Sequence, residues 1–447
     1  MDDDHKSVSW WLTAIFLTGL LQDPLRKCLP EQPVGVLMLF LLPALLGLAG
    51  IGRRAALAAI RTRNQAFLVP TLVLTVLIIA TAVRLQKGVN GPSLQLLLLA
   101  WLGPCVALLG FFWGQVFCNE LSIEQRFRVL RWLTVTLAVF CLATFLESAV
   151  TDYASFQWLG PLPPKRPWYR TVDADRFRML CGLFRSPENA GWFAALLLPV
   201  ACVAFSAPTS HGSRRWQAVL VGGIACAVCL LAGRRKMQVL MVIAVLLTAS
   251  LTSFAGFRRE AGRYLAVAAA SLGLGCGLVA LLPQAHLYLG YFSTSPMAAP
   301  ARTVVSAWEP ILAHSAEVSW FGAGVGEMAP GRQHLGGRSL FFTESGLVRV
   351  FVETGWLGLI VFLFSVVILL IRCIRPFVDQ RRQVESLQDV LQIQISATAT
   401  SILVANLFCF LIGHQIFGDP FVTFLTGAVL AVALPRRLRL EKGVRNQ

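Results

Sequence analysis

GWLGLIVFLFSVVILLIRC occupies residues 355–373. From Trp356 to Ile371 it carries no ionisable side chain. A helix crossing a bilayer needs about 20 mostly apolar residues, so this stretch reads as a membrane span. Working outward finds eleven more such stretches, at 7–21, 34–51, 66–83, 94–117, 127–146, 190–206, 217–233, 237–255, 264–282, 397–415 and 419–435. The first is short. Gly418-Asp419-Pro420 joins the last two, and proline is a natural helix break there. The expected fold is all-α: a polytopic membrane protein of about twelve transmembrane helices, forming one domain over 1–447. Two long outside loops are expected, at 147–189 and, between helices nine and ten, at 283–354.

Composition agrees. The 447 residues are 56% hydrophobic and only 14% charged, against about 25% charged in a soluble domain. So few charges could not cover the surface of a soluble core this large. Disorder, coiled coil and a disulfide scaffold are excluded by the same balance. The 11 cysteines sit mostly in apolar runs and read as small packing residues. Cys226 and Cys229 form a CxxC inside one such run, which disfavours zinc or redox chemistry there. The opening MDDDHKSVSWW lacks the charge pattern and cleavage site of a signal peptide, so the first apolar run is expected to stay as a helix.

The net charge is +16, from 39 Lys and Arg against 23 Asp and Glu. In a soluble chain that excess would suggest nucleic acid. No basic patch interleaved with aromatics is present, and nucleic acid is not an expected partner. Positive charge instead collects on cytoplasmic loops. Placing both termini in the cytoplasm puts Arg53, Arg54, Arg61, Arg63, Arg126, Arg128, Arg131, Arg214, Arg215, Arg258, Arg259, Arg263 and the basic tail after 435 inside. One turn runs against this bias. Gly233-Arg234-Arg235-Lys236 sets three cations at an outer membrane edge, as snorkelling side chains or as an anion site.

Few ionisable residues fall in mid-span, where ion-coupled transporters keep them. The polar chemistry is in the two outside loops. Long loops without secondary structure are commonly functional. The first contains GPLPPKRPWYRTVDADRFRMLCGLFRSPENAG (160–191), with Lys165, Arg166, Arg170, Arg176, Arg178 and Arg185. Arginine suits phosphate because its planar fork donates paired, charge-assisted hydrogen bonds; a basic loop can equally lie on anionic headgroups. Asp173-Ala174-Asp175 is a DxD, but among so many arginines ion pairing is favoured over a metal. In the second loop, Val305, Trp308, Ile311 and Leu312 have helical spacing, predicting a surface helix over Arg302–His314. Gly322, Gly324 and Gly326 lack the strand-helix context of a dinucleotide site and point to an unusual backbone path. His334, Arg338, Glu344, Arg349 and Glu353 follow; Arg349 and Glu353 have the i,i+4 spacing of a helix salt bridge.

Four stretches, taken in order, resemble the bacterial O-antigen ligase and O-antigen polymerase family. They are GLFRSPENAGWFAALLLP (182–199), AGRRKMQVLM (232–241), ARTVVSAWEPILAHSAEVSWFGAGVG (301–326) and ESGLVRVFVETGWLGLIVFLF (344–364). The resemblance covers roughly the latter two thirds of the chain. It implies a metal-independent, inverting glycosyltransferase of the bacterial inner membrane, without cofactor, acting in surface polysaccharide or exopolysaccharide biosynthesis. Its donor would be an undecaprenyl-diphosphate-linked glycan at the periplasmic face, and its acceptor a glycan or lipid-linked acceptor: another lipid-linked glycan for a polymerase, lipid A-core or protein for a ligase. The bilayer and other polysaccharide assembly proteins would be its further partners.

Carried over by position, Arg234 or Arg235 matches the family's essential Arg and Arg302 the Arg that starts the loop helix. Glu353, Gly355 and Gly358 match the closing Glu-x-Gly-x-x-Gly. The family's His-Asn falls on Glu344-Ser345, so the usual His is missing and polymerase is favoured over ligase. On this reading Arg185, Arg234, Arg235 and Arg302 bind the diphosphate leaving group. Glu344 or His334 is the general base for the acceptor hydroxyl, though Glu344 could equally pair with a nearby Arg. Arg338, Arg349 and Glu353 support them. Two other classes stay open: a lipid-linked glycan flippase or transporter, and a non-catalytic scaffold of a polysaccharide assembly system.

Overall fold

The structure is a computed structural model that describes residues 2–29, 33–61, 68–86, 91–150, 168–172, 175–206, 213–293, 308–313, 315–316, 318–328, 345–379, 387–413 and 417–434. A helix runs through each of the twelve apolar stretches read from the sequence. In chain order these are α1 (Asp2–Cys28), α2 (Pro33–Arg61), α3 (Leu68–Gln86), α4 (Gly91–Glu120), α5 (Ile123–Val150), α6 (Pro187–Ser206), α7 (Ser213–Leu231), α8 (Arg235–Phe254) and α9 (Arg258–Ala280). After the short helices α10 (Ala285–Ser293) and α11 (308–313) come α12 (Gly346–Asp379), α13 (Leu387–Ile412) and α14 (Pro420–Ala433). Among the described residues seven helices, in α4, α5, α6, α8, α9, α12 and α13, are long and apolar enough to cross a membrane. Shorter apolar helices lie in α2, α3, α7 and α14. The chain is an all-α, multi-pass membrane protein.

The stretch at 355–373 shows why. Ile360, Phe364, Val367 and Ile371 are each more than half exposed. Their spacing of four, three and four residues puts them on one helix face. A contiguous apolar stripe of this kind is a liability in water and is solvated by hydrocarbon. On the inward side Leu359, Leu369 and Cys373 are buried.

Helix α6 is the most enclosed of the candidate spans, with 94% of its apolar window buried. Its small residues, Ala190, Ala194, Ala195 and Ala201, are fully covered and allow α7 and α8 to pack closely, as small residues do between membrane helices. Helix α14 lies along α4 in the same way. A Cβ at Gly110 would collide with the Phe424 carbonyl, and one at Gly427 with the Ala107 carbonyl.

The expected start of the tenth span, residue 355, is a break inside α12. Gly355 has φ 69° and ψ −165°. A break frees backbone groups that a continuous helix would pair internally. The stretch 318–328 takes them up: Ala323 N donates to Val352 O at 2.7 Å, Gly324 N to Glu353 O at 3.1 Å, and Leu357 N to Trp320 O at 3.2 Å. Gly322, Gly324 and Gly326 have φ of 78°, 99° and 91°, the unusual backbone path expected of them. Arg84 of α3 anchors this stretch through Glu327 at 2.7 Å.

Three readings are modified. The loop expected at 147–189 is not structureless: α5 continues to Val150, and Tyr169–Val172 (β1) pairs antiparallel with Asp175–Arg178 (β2). The second loop begins with α10, which no periodic pattern announced. Of the surface helix expected over Arg302–His314, 308–313 is described as helical. Ile311 is fully buried there, but Leu312 is 67% exposed and faces away. All eleven cysteines are free, and Cys226 and Cys229 are buried.

Candidate functional site

The turn at Gly233 builds the site. Helix α7 ends at Leu231, Gly233 adopts φ 62°, and α8 starts at Arg235. A Cβ at Gly233 would stand 2.9 Å from the Phe177 ring and 3.1 Å from Met179, so strand β2 and the residue after it close over the turn. Arg234 is the N-cap of α8 and makes no side-chain capping hydrogen bond. Helix N-termini carry positive potential and favour anions. Here three cations are added to that potential. The start of α14 is built the opposite way: its N-cap Asp419 accepts from Phe421 N at 2.9 Å and Val422 N at 3.2 Å.

Glu188, in the first turn of α6, faces these cations. Its Oε1 lies 2.9 Å from Lys236 Nζ and 3.7 Å from Arg234 Nη1. Lys236 and Glu188 are both buried. The pair ties the start of α6 to the start of α8 and leaves Arg235 to another partner.

The next residue, Asn189, serves a second cluster. Its Nδ2 donates to Asp23 Oδ2 at 3.2 Å and to Asp419 Oδ2 at 3.1 Å. Gln22 donates to Asp419 Oδ1 at 3.4 Å, and Arg26 approaches Asp419 Oδ2 at 3.6 Å. Lys27 Nζ donates to Gly182 O at 2.6 Å. The ends of α1, α6, α7, α8, α13 and α14 therefore meet at one polar end of the bundle, with Glu188-Asn189 as the link. Arg126 marks the opposite end, where Nη1 donates to Gln392 Oε1 at 2.6 Å.

The hairpin and α10 cover the polar end. Tyr288 OH donates to Arg178 O at 2.5 Å, and Phe177 packs edge-on against Tyr288 with ring centroids 5.0 Å apart. Arg235 Cζ lies 4.2 Å from the Tyr291 ring centroid, and Arg170 Cζ, from β1, lies 5.1 Å from the same point. Burial pushes the Tyr291 phenol above its ordinary value; Arg170, Arg235 and Arg234 pull it back.

Of the residues read from the sequence, Arg185, Arg234 and Arg235 are brought to this end. Arg185 precedes α6, its side chain exposed and its backbone N donating to Asp23 Oδ2 at 3.0 Å. Arg349 and Glu353 form the i,i+4 salt bridge at 3.4 Å, and Glu353 Oε1 also accepts from Met328 N at 3.1 Å. They fix the 318–328 stretch against α12. Arg302, His334, Arg338 and Glu344 lie outside the described residues, as does Asp173. Sequence reasoning missed Glu188, Asn189, Asp23, Asp419 and Tyr291 as members. Glu188 and Asn189 stood in a quoted stretch and Asp419 in the turn read as a helix break, but nothing local announced their partners. Among the described residues no three His, Cys, Asp or Glu gather in a way that could hold a metal ion.

Below Phe421, an apolar cavity of about 180 Å³ opens between α1, α4, α5, α6, α13 and α14, lined by side chains such as Phe16, Trp113, Leu133, Ile402 and Phe424. No protein-family model matches the chain, and no curated protein matches it.

Proposed function

We propose that the chain is an inverting membrane glycosyltransferase that polymerises or ligates a glycan from an undecaprenyl-diphosphate carrier. On this reading it spans the bacterial inner membrane twelve times with both termini in the cytoplasm, so that the polar end faces the periplasm. The observation that carries the proposal is the clustering of Arg234, Arg235 and Lys236 at the uncapped start of α8, at the same end as Arg185. A diphosphate is already a good leaving group. It needs its developing charge stabilised more than it needs a proton. Fixed cations supply that without a metal, in surroundings less screened than water. The acceptor hydroxyl gives its proton to Glu344 or His334, and attack opposite the diphosphate inverts the anomeric carbon. The prenyl tail needs an apolar seat, and the cavity below Phe421 has that character.

The test replaces Arg234 and Arg235 by Ala together. Glycan extension is expected to stop while membrane levels of the protein hold. Polymer of wild-type length would remove the reading. Glu344→Gln and His334→Ala, assayed separately, choose between the two bases.

A further inference from the structure

Arg170 and Arg235 come from different elements, strand β1 and the first residue of α8, yet converge on one ring. Their Cζ atoms lie 5.1 Å and 4.2 Å from the Tyr291 centroid. The two guanidiniums are therefore no more than about 9 Å apart, whichever face of the ring each takes. Among the residues whose side chains are described, no carboxylate pairs with either. Arg235 Nε is buried and has no hydrogen-bond partner. Arg234, beside them, already shares Glu188 with Lys236.

Convergent cations without a counter-charge are unfavourable in a partly buried place. The Tyr291 ring offsets this only in part, through cation–π contact with each guanidinium. The approach is also built rather than incidental. Tyr288 OH fastens α10 to the Arg178 carbonyl, Met179 N closes the base of the hairpin on Trp168 O at 2.8 Å, and Phe177 packs on both tyrosines. The hairpin thereby holds Arg170 beside the start of α8.

From this geometry we infer that Arg170, Arg235 and Tyr291 form a seat for a diphosphate, in which each phosphate accepts from a different guanidinium. A two-phosphate anion accepting charge-assisted contacts of about 2.8 Å from each guanidinium would supply the counter-charge that the described side chains do not. The seat deepens the proposed function and rests on it. It adds Arg170, supplied by the hairpin, to the cations of the α8 turn, and makes the Tyr291 ring the surface that holds both arginines in place.

The experiment uses the full chain, purified in detergent at fixed ionic strength, with inorganic pyrophosphate and inorganic phosphate as probes. Wild type is expected to bind pyrophosphate at least tenfold more tightly than phosphate. Arg170→Ala and Arg235→Ala should each weaken pyrophosphate at least tenfold and leave phosphate little changed. Tyr291→Leu should do the same by releasing both arginines, and Arg170→Lys should recover part of the affinity. Thermal unfolding of each variant checks the fold; if Arg170→Ala does not fold, Arg170→Lys and Tyr291→Leu carry the comparison.

Pyrophosphate affinity that survives Arg170→Ala, or no preference of wild type for pyrophosphate over phosphate, overturns the seat. The two-arginine pattern in binding, together with normal glycan extension by the Arg234→Ala, Arg235→Ala protein, would keep the seat and sink the glycosyltransferase reading. The reverse pattern would do the opposite.

Discussion

Lys236 Nζ stands 2.9 Å from Glu188 Oε1, joining the first turn of α8 to the first turn of α6. Both side chains are about one tenth exposed or less. A buried pair of this kind is weak evidence for stability in itself, because desolvation offsets most of the attraction. Removing one partner, however, strands the other charge.

Glu188→Gln should therefore lower stability by roughly 1–3 kcal/mol, since the amide keeps the shape of the side chain but removes the charge that compensates Lys236. Lys236→Met should cost a similar amount. The double variant should cost less than the two together, with a coupling on the order of 1–3 kcal/mol. Unfolding midpoints of the four detergent-solubilised proteins measure this. Strict additivity would mean that the pair contributes nothing as a pair.

Gly355→Ala tests the break in α12. Position 355 has φ 69°, and a Cβ there would collide with the Trp320 carbonyl. Backbone strain alone should cost about 1–3 kcal/mol. The larger effect should be release of 318–328, whose hydrogen bonds end on Val352 and Glu353. Limited proteolysis should then cut within 318–328 in the variant and spare the wild type. Equal protection of both would show that the stretch does not depend on the break.

Asn189 separates two carboxylates by giving each a donor hydrogen. Asn189→Ala should lower stability by roughly 1–3 kcal/mol, because each buried carboxylate loses one of its donors. Asn189→Asp should be clearly worse, since it sets a third carboxylate between Asp23 and Asp419. The ranking, read from unfolding midpoints at neutral pH, is the check. An Asp variant as stable as the Ala variant would mean that Arg26 and Lys27 absorb the added charge.

The helices were legible in the sequence because each is a local property: an uninterrupted apolar run has one solution in a membrane. The break at Gly355 was foreshadowed by the span boundary placed there, and the three glycines of 322–326 by their spacing. The cluster around Asn189 was not. Asp23 and Asp419 lie 166 and 230 positions from Asn189, and no single-window pattern connects them. Helix α10 was missed for another reason. It is short, and it is held by Tyr288 and Tyr291 packing on a hairpin that the loop's prolines and arginines concealed. Arg349 and Glu353 were legible as a pair, but the anchoring of Met328 through Glu353 needed the folded chain.

The close approach of α14 to α4 bears on biogenesis. Helix α4 leaves the ribosome long before α14, so the shallow groove at Gly110 stays open to lipid while α5 to α9, α12 and α13 are synthesised and inserted. A bulky residue at Gly110 would leave every earlier insertion step untouched and block only the late docking. The resulting chain would be correctly threaded yet unsealed, a fault visible to quality-control proteases rather than to the translocon.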